Sequence, residues 1–116
     1  MKFSVIVPIH NEEKFLIYSL PSIFRLHPDE VILLFDRCTD RSIEVARKVS
    51  EKFNYLSKTK FIILNEPSPE WMCRVAYVSR YGFRIAKNEI ILKTDADVIL
   101  DDKAITRALS FIGKRG

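Results

Sequence analysis

The sequence predicts an α/β fold of three layers, with helices on both faces of a mainly parallel sheet. Three observations carry that prediction. Short runs rich in β-branched residues alternate with longer segments of helical periodicity, four times in succession. The runs at 31–35 and 90–92 are continuously apolar, as strands covered on both faces of a parallel sheet are. No flexible linker interrupts the series, so residues 1–116 are expected to form one domain built from right-handed βαβ crossovers.

Lys2 to Pro8 is the first strand. A helix follows from about Glu12, with Leu16, Leu20, Ile23 and Phe24 on one face. Asn11 is expected to cap it, and Glu12 and Glu13 suit the positive end of its dipole. Pro21 lies inside the periodic run and predicts a kink or a split. His27 and Pro28 lie in a turn, and His27 is assigned no chemistry. Val31 to Phe35 is the second strand. Thr39 or Asp40 caps a helix over about Arg41 to Phe53, whose Ala46, Val49 and Phe53 face inward. Lys60 to Leu64 is the third strand, and the proline-rich polar loop after it is expected to be exposed. Met72 to Lys87 is a helix with Val75, Val78, Gly82 and Ile85 on one face and Arg80, Arg84 and Lys87 on the other. Glu89 to Thr94 is the fourth strand, buried at Ile90 to Leu92, and Asp102 to Ile112 is the last helix.

Composition narrows the function classes. Hydrophobic residues at 47% and charged residues at 29% describe a globular chain, not a disordered one. The net charge of +4 is modest and no nucleic-acid-binding motif accompanies it, so no nucleic-acid partner is expected. Cys38 and Cys73 form no metal-ligand pattern and read as free thiols of a reducing compartment. The apolar stretch Phe3 to Ile9 is short and contains Pro8, unlike a signal peptide. No apolar run approaches the roughly 20 residues needed to span a bilayer. The expectation is a cytoplasmic chain with at most peripheral membrane contact.

Polar residues gather where strands end. After the first strand come Pro8, His10, Asn11 and Glu12; after the second, Asp36, Thr39 and Asp40; after the fourth, Asp95 and Asp97. In an open α/β sheet these carboxyl ends form the ligand-binding rim. Asp95 and Asp97 are alternate residues, which in an extended chain point the same way. Two oxygen donors so placed suit Mg2+ or Mn2+. Each cluster alone also reads as a cap or an acidic turn. Three acidic strand ends on one rim, however, repel one another unless a cation and a polar ligand join them. Arg74, near the start of the third helix, is placed to meet an anion, and Arg80 is a weaker candidate. Trp71 suits ligand stacking and plain packing equally.

These residues carry a resemblance. Val5 to Glu13 (VIVPIHNEE) resembles the opening motif of family 2 glycosyltransferases of the GT-A fold. Phe35 to Asp40 (FDRCTD) resembles their second motif, commonly DDGSTD, and Lys93 to Asp97 (KTDAD) resembles their Asp-x-Asp element. The resemblance implies a site for a nucleoside-diphosphate sugar. Asp36 would recognise the nucleobase, and Pro8, His10, Asn11 and Glu12 would line the base and ribose pocket. Asp95 would approach the ribose or the metal shell, Asp97 would be the principal ligand of a divalent cation, and Arg74 would meet the diphosphate. Phe35, Arg37 and Cys38 depart from the pattern, where an acidic residue, Gly and Ser are usual. The resemblance also implies a truncated chain, without the acceptor-binding half, for which no general base is assigned. Loss of the segment that covers the fourth strand predicts a homodimer or larger self-association. Two other readings compete. One is a non-catalytic nucleotide- or anion-binding module. The other is a nucleotidyltransferase of related architecture, against which stands the lack of a glycine-rich phosphate loop after the first strand.

Overall fold

The computed structural model describes residues 1–115, with side chains as far as residue 112. In chain order the elements are β1 (Phe3–Ile9), α1 (Leu16–Phe24), β2 (Glu30–Asp36), α2 (Ser42–Lys52), β3 (Thr59–Leu64), α3 (Arg74–Ile85), β4 (Ile90–Lys93) and α4 (Asp102–Arg115). The four strands form one sheet in the order β3-β2-β1-β4, and every pairing is parallel. Side chains alternate across it with the period of two that a pleated strand imposes. Val5, Val7, Ile9, Val31, Leu33 and Phe35 pack against α1 and α2, together with Leu16, Leu20, Ile23 and Ala46. Ile6, Ile32, Leu34 and Leu64 face the other way, onto Val78 and Ile85 of α3. The predicted three-layer α/β/α architecture is present.

The strand order explains the sidedness. Successive strands run outward from β1 to β3, and the chain then returns across β2 and β1 to add β4 on the far side. Right-handed crossovers in opposite directions put α3 on the face opposite α1 and α2. The reversal makes the carboxyl ends of β1 and β4 a topological switch point, where a crevice opens.

Four expectations are corrected. The first helix begins at Leu16 and runs unbroken through Pro21, which is buried. A proline inside a helix costs about 3 kcal/mol, but burial of Leu16, Leu20, Ile23 and Phe24 at roughly 1.5–3 kcal/mol each outweighs it. Asn11 does not cap that helix; Phe15 occupies the N-cap position without a side-chain bond. β4 lies at the sheet edge, so Ile90 to Leu92 are half-buried instead of buried on both faces. On α3, Val75 is exposed, while Val78 and Gly82 make the contact with the sheet.

Gly82 is the point of closest approach between α3 and the sheet. A Cβ there would sit 2.7 Å from Leu34 Cδ1 and 3.3 Å from both Ile6 Cβ and Ile6 Cδ1. Both neighbours are fully buried, so they have little room to yield. Overpacking of this kind costs about 1–3 kcal/mol, partly offset by the ~1 kcal/mol that Ala gains over Gly in a helix. Gly82→Ala is therefore expected to lose about 1 kcal/mol net and Gly82→Val more, read as lower urea midpoints. Equal midpoints for all three chains would show that α3 can lift without cost.

Candidate functional site

A cavity of about 280 Å3 opens at the carboxyl rim of β1 and β4. Pro8, Ile9, His10 and Glu12 line it from the end of β1, Asp36 from β2, and Asp95, Ala96 and Asp97 from the segment after β4. Val75 and Val78 of α3 close it from above the sheet. Of the residues singled out at three separate strand ends, Pro8, His10, Glu12, Asp36, Asp95 and Asp97 share one cavity, whereas Asn11, Thr39 and Asp40 do not line it, and neither does Arg74 of α3.

Asn11 shapes the rim from outside the cavity. It adopts a left-handed backbone (φ 52°), which Asn tolerates better than most residues. Its Oδ1 accepts from the backbone N–H of Thr39 (2.8 Å) and Asp40 (3.1 Å). Asp40 answers in the other direction. Its Oδ2 accepts from Glu13 N–H, and its Oδ1 from Ser42 N–H and Ser42 Oγ–H. Ser42 Oγ in turn accepts from Glu12 N–H at 2.8 Å. Cys38 takes part as well, its thiol pointing at Ile9 O (3.4 Å). Neither Thr39 nor Asp40 is the N-cap of α2, which is Arg41 without a side-chain bond; Asp40, one residue earlier, still accepts from the N–H of Ser42 at the start of the helix. The loops after β1 and β2 are therefore laced together, which holds His10, Glu12 and Asp36 in register.

Asp36 sits among cations. Its Oδ1 accepts from Arg37 Nε–H at 2.9 Å and from Arg74 Nε–H at 2.8 Å. Burial by itself would push this carboxyl up; the hydrogen bonds and positive charge of the two guanidinium groups outweigh it and hold it below the usual carboxylate range. Arg74 also donates to the carbonyls of Glu66 (2.6 Å) and Leu64 (3.1 Å). Its guanidinium is thus spent on joining Asp36 to the loop after β3 and does not line the cavity. The main-chain carbonyl of Asp36 binds His10 Nδ1 at 2.7 Å. A carbonyl only accepts, so Nδ1 carries the proton.

The opposite wall is acidic. β4 ends at Lys93, so Asp95 and Asp97 do not converge as alternate residues of a strand. A turn closed by Val98 N–H on Asp95 O arranges them instead, with Ala96 plugged into the core between two exposed carboxylates. Glu12 has its carboxyl pushed up by burial, then by the negative charge of Asp97 and of Asp40. Oxygen donors alone, with like charges near one another, are the chemistry that a hard divalent cation relieves. Among the described residues no three His, Cys, Asp or Glu side chains form a metal-binding group. Mg2+ and Mn2+ keep water and take phosphate oxygens beside one or two carboxylates, the number that Asp95 and Asp97 offer on this wall. Sequence reasoning missed the pairing of Arg74 with Asp36, separated by 38 residues; no local signal carries it.

Known proteins resemble this chain in sequence and in fold. A family model described as glycosyl transferase family 2 matches residues 4–116. The chain is 30% identical over 116 residues to the poly(ribitol-phosphate) beta-N-acetylglucosaminyltransferase TarS of Staphylococcus aureus. That match covers 97% of this chain and 19% of TarS, so the chain spans about a fifth of that relative's length. The crystal structure of a TarS fragment in complex with UDP-GlcNAc superposes with a TM-score of 0.76 at 28% identity, covering 98% of this chain and 32% of the other. A mannosyltransferase from Pyrobaculum calidifontis, solved with GDP-Man and Mn2+, shares the fold with a TM-score of 0.77 at 24% identity, over 93% of this chain and 31% of its own.

Proposed function

Because the chain belongs to glycosyl transferase family 2, we propose that it binds a nucleoside-diphosphate sugar with a divalent cation and presents the sugar for transfer to an acceptor. The observation that carries this reading is the single cavity joining Asp36, His10 and Glu12 on one side to Asp95 and Asp97 on the other. Asp36, held ionised, is an acceptor only, and so favours a base whose edge presents an N–H, as uracil does. We assign Pro8 and His10 to the base and ribose walls, with Asn11 supporting the loop that carries them. Arg74 positions Asp36 and lies beside the diphosphate path without lining it. Glu12 and Asp95 approach the ribose and the cation, and Asp97 is its principal ligand. Bound there, the cation neutralises the charge that develops on the departing diphosphate. No cavity residue is assigned as the acceptor's general base.

The test is calorimetric titration with UDP, GDP, CDP and ADP, each with Mn2+ and with chelator. Tightest binding to a uridine nucleotide, strengthened by Mn2+, is expected. Equal heats for all four, or none, would remove the donor-site reading. Among the described residues no helix is long and apolar enough to cross a membrane. Cys38 and Cys73 are free thiols, which supports a reducing, cytoplasmic setting.

The same fold motivates a prediction about assembly. β4 is an edge strand with half-buried Ile90, Ile91 and Leu92, and on the other edge β3 exposes Ile63. Unpaired edges recruit other strands, and a symmetric dimer is the commonest closure. Sedimentation at rising concentration is expected to show self-association. A single monomeric species at high micromolar concentration would rule it out.

A further inference from the structure

Arg37 pairs a strained backbone with a contact to the site. Its φ of 47° lies in the left-handed region, where glycine is at ease and a residue with a Cβ is not. The side chain is 52% exposed, so packing does not account for an arginine there. What the side chain does touch is Asp36 Oδ1, 2.9 Å from its Nε. Arg74 Nε–H reaches the same oxygen from α3 at 2.8 Å. Two charge-assisted donors therefore fill one oxygen, and among the described residues neither they nor any other donor holds Oδ2. Strain kept at the edge of a cavity points to a role in that cavity.

We infer that Arg37 is a positioning residue for nucleobase selection: with Arg74 it clamps Oδ1 of Asp36, fixing the carboxylate plane so that Oδ2 alone accepts from an incoming base. This rests on the donor-site reading above. A carboxylate locked in this way discriminates between pyrimidines. Uracil offers an N–H at N3, whereas the N3 of cytosine is a lone pair that repels Oδ2. With one clamp arm removed, Asp36 can turn about its side-chain bonds, and both the attraction and the repulsion weaken.

The experiment compares wild type, Arg37→Gly and Arg37→Ala by calorimetry with UDP and with CDP, alongside thermal melts. Gly removes the side chain and the strain; Ala removes the side chain and keeps the strain. Both variants are expected to bind UDP about three- to tenfold more weakly, the range for one exposed charge-assisted bond. CDP binding should stay level or improve, so the UDP-to-CDP ratio falls. Arg37→Gly should melt at or above the wild-type temperature, so its weaker binding is not a folding defect. Unchanged UDP affinity in both variants would overturn the proposal. So would equal weakening for UDP and CDP, or a loss confined to the Gly variant, which would trace the effect to the backbone. Wild type that fails to bind UDP would defeat the donor-site reading itself and is recognised separately.

Discussion

Asp97→Ala is expected to abolish the gain in UDP affinity that Mn2+ confers on the wild-type chain, a loss of at least about tenfold, or ~1.4 kcal/mol. Asp97 is exposed at the cavity wall, and its charge already raises the Glu12 carboxyl. On the proposed assignment, removing it deletes the principal ligand and leaves Asp95 as the one carboxylate on that wall, which weakens the hold on a cation that takes its remaining ligands from water and phosphate. In chelator the two chains should bind UDP alike, because the base wall at His10 and Asp36 is untouched. The fold should survive, since the side chain that packs into the core at this turn is Ala96 and not Asp97. A variant that keeps the full Mn2+ effect would move the cation elsewhere.

Glu30→Ala is expected to cost about 3 kcal/mol of stability and roughly 10–15 °C of melting temperature. Glu30 lies at the amino end of β2, remote from the cavity, and is only 3% exposed. Its Oε1 accepts from Ser4 Oγ–H and Lys87 N–H, both at 2.8 Å, and its Oε2 pairs with Lys60 Nζ at 2.8 Å. Asn88 Nδ2–H extends the network by donating to Ser4 Oγ (3.0 Å), so one carboxylate ties β1, β2, β3 and the turn before β4. Lys60 is 37% exposed and stays hydrated without its partner, which keeps the loss at the lower end for a buried pair. Burial alone would raise this carboxyl, but the pairing with Lys60 and the hydrogen bonds from Lys87 N–H and Ser4 Oγ–H bring it below its ordinary value of 4.5. A depressed carboxyl stabilises the fold above its unfolded pKa, and that contribution disappears as pH falls through the folded one. The gap between wild type and variant in urea melts should therefore be full at neutral pH and shrink below about pH 4. A gap that holds constant into acid would assign the loss to packing instead of charge.

Much of this was legible locally. Alternation of β-branched runs with helical periodicity determined four strand–helix units, the two-faced burial of β2, and the three-layer class, because side-chain spacing along one element follows from its own backbone geometry. Parallel strands then placed their carboxyl ends on one rim, so His10, Glu12, Asp36, Asp95 and Asp97 could be grouped from order alone. Tertiary structure decided the rest. Only the sheet order put β4 beside β1. Asn11 looked like the cap of the nearest helix, yet its carbonyl oxygen serves Thr39 and Asp40, 28 and 29 residues away. Arg74 had the position of an anion ligand, yet it is bound to Asp36 and to the carbonyls of Leu64 at the end of β3 and Glu66 in the loop beyond. A side chain's spacing tells which face it occupies, but its hydrogen-bond partner is whichever group the folded chain brings within about 3 Å, and that distance exists only once the layers are packed.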